Sequence, residues 1–264
     1  MANTASFVDA AIDANRENFV AKASAWVKAD PLFSLKELDG AVAVFSGSST
    51  DTFNVLALDR NTKRSAFDII EEARNDLFGE NRFAVWSWQD GQLQSLPVNK
   101  TAIEENLIMV CEKEDFKATT KATGKFETTL ANDPAHFLDV SSVIASVFGE
   151  QEEGFMIQSV FAGQDEASIE NLPIHFLLAY GAGKPLATGS FILNGTNAGI
   201  YDIAVQPSEQ NKGIGSRMFE ATIGKAIVKG ARSFTLQASA DGAGIYERAG
   251  FQTLGACWCL DISE

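Results

Sequence analysis

Histidine is scarce in this chain of 264 residues, with only His136 and His175 present. Two histidines argue against a histidine-rich metal site, so no metal is expected. Cysteine is scarce as well. Cys111, Cys257 and Cys259 are an odd set without regular spacing, which makes no disulfide framework. Cys257 and Cys259 share one face of a strand-like run, where inert core residues are the ordinary reading. Basic charge is in deficit: 21 Lys and Arg stand against 35 Asp and Glu, for a net charge of −14. The deficit is even, at −7 in residues 1–120 and −7 in residues 121–264. A nucleic-acid partner would need a basic face, so none is expected. The surplus of acid suits a cationic amine substrate, although solubility alone accounts for it. No run of about 18 apolar residues is present, so no membrane span is expected. Met1 to Asn15 is polar and acidic, without the apolar stretch of a signal peptide. The simplest reading is a soluble cytoplasmic protein.

What is present fills an ordinary core. Apolar residues make up 45% of a chain that is long for one domain and comfortable for two. The stretch around which it is organised is Gln210-Asn211-Lys212-Gly213-Ile214-Gly215. A strand-like run, Gly199 to Val205, precedes it and stops before Pro207, which cannot extend a ladder. A helix-like run, Ser216 to Lys229, follows it. Ile214, Met218, Ala221, Ile223, Ala226 and Ile227 give that run one apolar face. The glycines therefore lie at a strand-to-helix turn, where unpaired N–H groups and the helix dipole favour an anion. Glycine at 213 and 215 lets a phosphate approach the backbone closely.

Q-x-x-G-x-G after a strand ending Ala-Val-x-Pro resembles the acyl-CoA-binding motif of the GNAT N-acetyltransferases. A second stretch resembles that family's other signature: Leu236-Gln237-Ala238-Ser239, then Gly244-Ile245-Tyr246-Glu247-Arg248-Ala249-Gly250-Phe251. Tyr246 lies 31 positions after Gly215, room for one long helix and one strand. The resemblance implies an α/β fold with a mixed, mostly antiparallel sheet flanked by helices. It implies acetyl-CoA (coenzyme A) as cosubstrate and an amine as acceptor. The phosphate cradle would be the backbone of Asn211, Lys212, Gly213, Ile214 and Gly215, with the Ser216 hydroxyl and Gln210 beside it. Lys212 and Arg217 either add charge there or stand solvated. The pantetheine would pair with the backbone of Ile203 and Val205. Ser239 stands where the family often has an asparagine that bonds the cofactor; it either bonds pantetheine or caps the helix that follows.

Taken in order, residues 6–28 predict a helix and residues 32–38, 41–45 and 53–58 predict strands. A helix over 65–78, a strand over 83–88, a polar segment and a strand over 107–111 follow. Residues 116–125 are small, polar and unpatterned, and mark a domain boundary between 1–118 and 125–264. The second part predicts a strand over 126–130, helices over 134–148 and 155–161, and strands over 175–180, 186–193 and 198–205. After the helix at the glycines come a strand over 233–238, a short helix over 242–249, and a strand or strands over 251–261. That is the GNAT order. The first part echoes it, but its turn Asp59 to Ser65 has no glycine and nothing after Trp88 matches Tyr-x-x-x-Gly-Phe. It predicts two tandem GNAT-like domains, the first without a phosphate loop; an unrelated α/β domain is the alternative.

The catalytic candidates are Tyr246 and Asp202. Family members often use the tyrosine to protonate the departing thiolate, and a phenol with a pKa near 10 holds its proton at neutral pH. The family's strand glutamate would fall at Gly199, so the general base is open. Asp202 is the acid in that strand, and it serves either as base or in a structural bond. Glu152, Glu153 and His175 are weaker candidates, and a water relay or an amine that arrives deprotonated remains open. The reading is a direct ternary-complex N-acetyltransferase, with a homodimer as one assembly it allows. Two rivals stand beside it: an acyl-CoA sensor without turnover, and an N-terminal half that recruits a polypeptide substrate.

Overall fold

The computed structural model describes residues 4–119, 127–149 and 151–263. Helix α1 (Thr4–Ala23) tightens into a 3-10 turn over Ala25–Lys28, as the long apolar stripe predicts. Strands β1 (Ser34–Leu38), β2 (Ala41–Phe45) and β3 (Val55–Leu58) follow. Helix α2 (Ala66–Ala73) starts where the Ser65 hydroxyl accepts the Asp68 N–H at 3.1 Å. It buries Ala66, Ile69, Ile70 and Ala73 and runs into a π-type turn, Arg74–Phe78. Strands β4 (Phe83–Ser87) and β5 (Ile103–Glu112) complete the first part. The boundary expected at 116–125 and the strand start expected at Phe126 fall largely on residues 120–126, outside the described residues.

The second part holds β6 (Thr128–Leu130), α3 (Pro134–Phe148), α4 (Glu152–Ala162), α5 (Glu166–Asn171), β7 (Ile174–Gly181), β8 (Lys184–Asn194) and β9 (Asn197–Val205). Then come α6 (Ile214–Val228), β10 (Ser233–Ala238), α7 (Ala243–Arg248) and β11 (Gln252–Ile262). Helix α3 starts as the sequence predicts. Pro134 sits in its first turn and an Asp133 carboxylate oxygen accepts the His136 N–H at 2.8 Å. Helix α5 was not expected; at six residues it is too short to show a period. Strand β5 is twice the expected length, because Glu104, Glu105 and Asn106 break its apolar pattern.

The eleven strands among the described residues join one sheet in the order β1-β2-β3-β4-β11-β5-β10-β9-β8-β7-β6. The pairs β3–β4 and β9–β10 are parallel and the rest antiparallel. The two parts exchange their last strands. Strand β11 leaves the second part to pair with β4 from Trp258↔Ser87 to Ile262↔Phe83. Strand β5 leaves the first part to pair with β10 from Ala238↔Leu107 to Ser233↔Glu112. The two exchanged strands pair with each other from Gln252↔Val110 to Leu260↔Ile103.

Helices cover both faces. On one face α2 packs on Leu56, Val85 and Leu260, while α6 and α7 pack on Met109, Phe234 and Phe191. On the other, α1 packs on Val55, Trp88 and Cys257, and α3 and α4 pack on Phe176 and Leu178. Fully buried side chains such as Leu56, Ile69, Phe191 and Phe234 each contribute about 1.5–3 kcal/mol. Asn15 of α1, wholly buried, ties the halves together. Its Nδ2 donates to Thr235 Oγ1 at 2.7 Å, and its Oδ1 accepts from Trp88 Nε1 at 2.8 Å and Gln237 Nε2 at 2.7 Å.

Candidate active site

Strands β9 and β10 stay paired only from Asn197↔Ser233 to Gly199↔Thr235. Beyond that point β9 continues to Val205 against β8 alone, and β10 continues to Ala238 against β5 alone. The side of β9 facing β10 thus carries N–H and C=O groups without a strand partner. A bulge re-aims the strand here. The register moves from Ser190↔Tyr201 to Thr188↔Ala204, so Gly189 faces both Asp202 and Ile203. Asp202 takes the left-handed conformation, φ +54°. Gly189 is required, since a Cβ there would lie 2.4 Å from Thr222 Oγ1 and 2.7 Å from Ile203 Cδ1.

The gap opens into a cleft of about 430 Å³ between the end of β9, the start of α6 and the side of α7. Of the predicted cofactor residues, Ile203, Val205, Gln210, Asn211, Gly213, Gly215 and Ser216 line it. Phe219, Ile245 and Val147 line it too, and the sequence did not single these out. Asn211 and Gly213 are both left-handed, with φ of +61° and +76°. That pair of residues turns the chain into α6, whose first N–H groups have no intrahelical partner. No side chain caps them at Gly213. The result is a concavity of backbone N–H groups at a positive helix end, a geometry that favours an anion. Ile214 instead packs its side chain against the core beneath α6. Lys212 points away, its Nζ 3.0 Å from both Glu209 Oε2 and the Ser208 carbonyl. Gln210 Nε2 donates to the Val205 carbonyl at 3.3 Å.

Tyr246 lines the same cleft from α7. Its ring packs on Phe219 at 5.0 Å and Phe251 at 6.2 Å. Its carbonyl accepts the Ala249 and Phe251 N–H groups, both at 3.0 Å, through the left-handed Gly250 at φ +98°. A Cβ at Gly250 would lie 2.2 Å from the Asp115 carbonyl oxygen, so only glycine closes this turn. Burial raises the Tyr246 phenol above its ordinary pKa, which keeps it a proton donor. Ser239 is exposed and does not line the cleft. Its hydroxyl accepts the Gly242 N–H at 3.3 Å, ahead of α7.

Asp202 is not brought together with Tyr246. The bulge turns its carboxylate to the α1 face, where Lys22 Nζ donates at 2.8 Å and Ser190 Oγ at 2.5 Å. The space over Gly199 is filled: a Cβ there would lie 2.6 Å from Tyr201 Cε2 and 2.8 Å from Asn18 Cβ. No strand carboxylate can stand at that position. Glu152 accepts from Ser49 Oγ at 2.7 Å and Glu153 lies 3.6 Å from Arg82, both away from the cleft. His175 packs on Phe191 and lines a separate cavity; burial first, then the charge of Lys229, lowers its pKa. All three cysteines are buried thiols. Burial pushes Cys111 and Cys257 up to about 12, and Cys259 is raised as well, so none is poised as a nucleophile. Among the described residues no group of three or more His, Cys, Asp or Glu is placed to hold a metal ion. Nor, among them, is any helix long and apolar enough to cross a membrane.

The corresponding place in the first part is built differently. Strands β3 and β4 pair from Val55↔Ala84 to Ala57↔Trp86 and each ends one residue later, so no stretch of free edge like that of β9 is left. Ser65 caps α2 with its own hydroxyl. Two of the three basic residues of the turn are spent: Arg60 pairs with Asp9 and Asp13, and Arg64 with Glu72. The surface hollow at this turn, about 670 Å³, is open and lined by Asp13, Arg16, Asp59, Arg60, Lys63 and Arg64.

Residues 173–253 match the family model described as "Acetyltransferase (GNAT) domain". The matched stretch spans β7 to the start of β11, and so contains the bulge, the cradle and Tyr246. No curated protein matches the sequence. Among solved structures, a GCN5-related N-acetyltransferase from Kribbella flavida superposes with a TM-score of 0.62 at 13% identity, over 91% of this chain and 94% of that one. A tandem GNAT protein from the clavulanic acid biosynthesis pathway does so at 0.60 and 11% identity, over 91% and 87%. A functionally unknown conserved protein from Staphylococcus epidermidis gives 0.60 and 15%, over 90% and 97%. At these identities the likeness is one of fold. Residues 173–253 are thus similar to the GNAT acetyltransferase domain. The architecture is the mixed GNAT sheet flanked by helices, and the tandem GNAT protein shares it over 91% of this chain.

Proposed function

We propose that the protein is an N-acetyltransferase that moves an acetyl group from acetyl-CoA to an amine by direct attack in a ternary complex. The observation that carries this reading is the gap between β9 and β10. An unpaired strand edge, the turn into α6 and the Tyr246 side chain border the one cleft beside it, which supports the reading. The N–H groups of Ile214, Gly215 and Ser216 would hold the pyrophosphate, and the free edge of β9 at Ile203 and Val205 would pair with the pantetheine amides. Acetyl-CoA supplies the thioester: the amine lone pair forms a C–N bond to its carbonyl carbon, the C–S bond breaks, and sulfur leaves with the electron pair. Tyr246 gives its proton to that sulfur. The proton lost by the attacking amine goes to water, because Asp202 is held by Lys22 and the position of Gly199 is closed.

The sensor reading has one observation in its favour, the same lack of a carboxylate at Gly199. Thiol release from acetyl-CoA in the presence of an amine, lost in Tyr246→Phe, supports catalysis. Binding of acetyl-CoA without turnover of any amine favours the sensor. A protein that binds neither acetyl-CoA nor CoA at millimolar concentration defeats both.

A further inference from the structure

On the face of the sheet opposite the cradle, the bulge opens onto a second cavity. Asp202 lines this cavity, and its neighbour Ile203 lines the cleft, so the bulge borders both spaces from the two faces of the sheet. The inner part, about 170 Å³, lies between α1, α3 and α4 and is apolar apart from Thr52 and the Lys22–Asp202 pair. An outer part, about 310 Å³, shares Lys22, Trp26, Thr52 and Phe53 with it and extends along Trp86 to Asp51 and Asp261. Most of this wall comes from the first part of the chain, together with the exchanged strand β11.

The charges along it are not balanced. Lys22 is spent on Asp202. Asp51 pairs with Arg82 at 2.9 Å, but Arg82 also serves Glu153. Asp261, at the outer end, has no hydrogen-bond or ion-pair partner among the described residues. Burial first, then the charges of Asp51 and Glu104, raises its carboxyl pKa, with Arg82 offsetting part. A cation at that end would relieve the repulsion. The walls between the ends are aromatic: Phe19 lies 4.6 Å from Trp86 and Trp26 lies 6.2 Å from Phe53. Such rings hold an apolar body and attract a cation over their faces.

We infer that this cavity binds the acceptor, and that the acceptor is an amine with an apolar body and a second, cationic group at its far end. The reacting amine lies at the Asp202–Ile203 bulge, the body between Trp26, Phe53 and Trp86, and the cation against Asp51 and Asp261. This rests on the transferase reading above; the transfer step is the one given there, and the far cation takes no part in it. The test uses the full chain, acetyl-CoA and three amines of one shape: para-xylylenediamine, para-methylbenzylamine and para-(aminomethyl)benzoate. Thiol release should give kcat/KM in that order, the diamine ahead of the monoamine by about tenfold, the step that about 1.4 kcal/mol of binding supplies. Asp261→Asn should remove most of that ratio, and Asp261→Lys should turn the preference toward the benzoate. Acetyl-CoA binding is followed separately by thermal shift. If acetyl-CoA binds and the three amines are used alike, or the benzoate leads in the wild type, this inference fails and the transferase reading stands. If acetyl-CoA binds but no amine turns over, saturable quenching of tryptophan fluorescence by the diamine alone, weakened in Asp261→Asn, still supports it; no quenching overturns it. If acetyl-CoA does not bind, the transferase reading falls and this inference with it.

Discussion

Gly215→Glu separates the anion cradle from every other role of the turn. Gly213 is the more obvious target, but its φ of +76° means that any side chain there strains the backbone, by about 1–2 kcal/mol. Gly215 has no such constraint. It stands in the first turn of α6 with ordinary helical geometry, and a Cβ there meets only Val205 Cγ2 at 3.5 Å, a normal contact. Without ligand, glutamate improves on glycine in a helix by roughly 0.5 kcal/mol. A negative charge at the positive helix end adds about 0.3–1 kcal/mol. The free variant should therefore be more stable than wild type by about 1 kcal/mol, or roughly 2 °C in Tm for a chain of this size.

With ligand the sign reverses. At acetyl-CoA a hundred times its Kd, the wild type gains about 2.7 kcal/mol. That is a rise of roughly 5–10 °C. In the variant a carboxylate sits beside the pyrophosphate. Two unit charges at about 4 Å repel by about 4 kcal/mol at the effective dielectric of a protein surface, enough to weaken binding about a thousandfold. The shift at the same concentration should vanish. Gly224→Glu is the control. Gly224 lies in the middle of the same helix, exposed, with nothing within 4 Å of its would-be Cβ, so it should gain helix propensity and keep the full ligand shift. Differential scanning fluorimetry of the three proteins, with and without acetyl-CoA, reads all of this. A Gly215→Glu protein that keeps the wild-type shift refutes the placing of the pyrophosphate at α6.

Three further outcomes are expected. Tyr246→Phe should lower the rate by about a hundredfold and leave the acetyl-CoA thermal shift intact, because its ring packing on Phe219 and Phe251 needs no hydroxyl. Burial raises the Tyr246 pKa, so the acid stays protonated and the wild-type rate should show no alkaline fall below pH of about 10; a fall near neutrality would point to another acid. Asp133→Ala should cost about 1 kcal/mol at neutral pH through loss of the α3 cap. The Asp133 pKa is lowered in the folded state, first by the His136 N–H. Its contribution is therefore full above the unfolded value of about 3.9 and disappears as pH falls through the folded value, so denaturant titrations should show wild type and variant converging in acid. The isolated fragment 1–118 should stay unfolded by circular dichroism, since β4 and β5 each lose β11; cooperative unfolding of that fragment would show the exchanged strands to be dispensable.

The strand-to-helix turn was legible because its causes are adjacent in sequence. A strand stop, two glycines and a helix start lie within a dozen residues, and the left-handed Gly213 is the kind of position that glycine announces. Helix α3 was legible for the same reason, from Asp133 and Pro134. The strand exchange was not, because β5 and β11 pair across some 150 residues and nothing local encodes which distant edge a strand will take. Asp202 read as a base candidate because it is an acid in the right strand. Its partner Lys22 lies on a helix 180 residues earlier, and the bulge that points it there shows only as a glycine in β8. Gly199 was legible as a missing carboxylate, but not as a closed position. The closing groups are Tyr201, two residues along the same strand, and Asn18 on α1. Phe19, Lys22 and Ala23 on α1 and Trp26 in the turn after it are close in sequence, yet the sequence does not say that they line a cavity with β11 and the bulge.

The exchange also gives the first part a place at the cleft. A cleft forms only if β9 and β10 part, and parting leaves each strand with one remaining neighbour. Strand β9 keeps β8. Strand β10 keeps β5, paired along all six of its residues from Ser233↔Glu112 to Ala238↔Leu107, and β5 belongs to the first part. The N–H and C=O groups on the far side of β10 are thus paired by the other half of the chain, which holds the strand in place while its side toward β9 stays open. In the first part the corresponding strand, β4, is held between β3 and β11 and stays closed. One half keeps its gap shut and lends a strand; the other keeps its gap open and lends one back. The first part therefore acts on the site through β5 at the edge of the gap and through α1, whose Lys22 fixes the bulge.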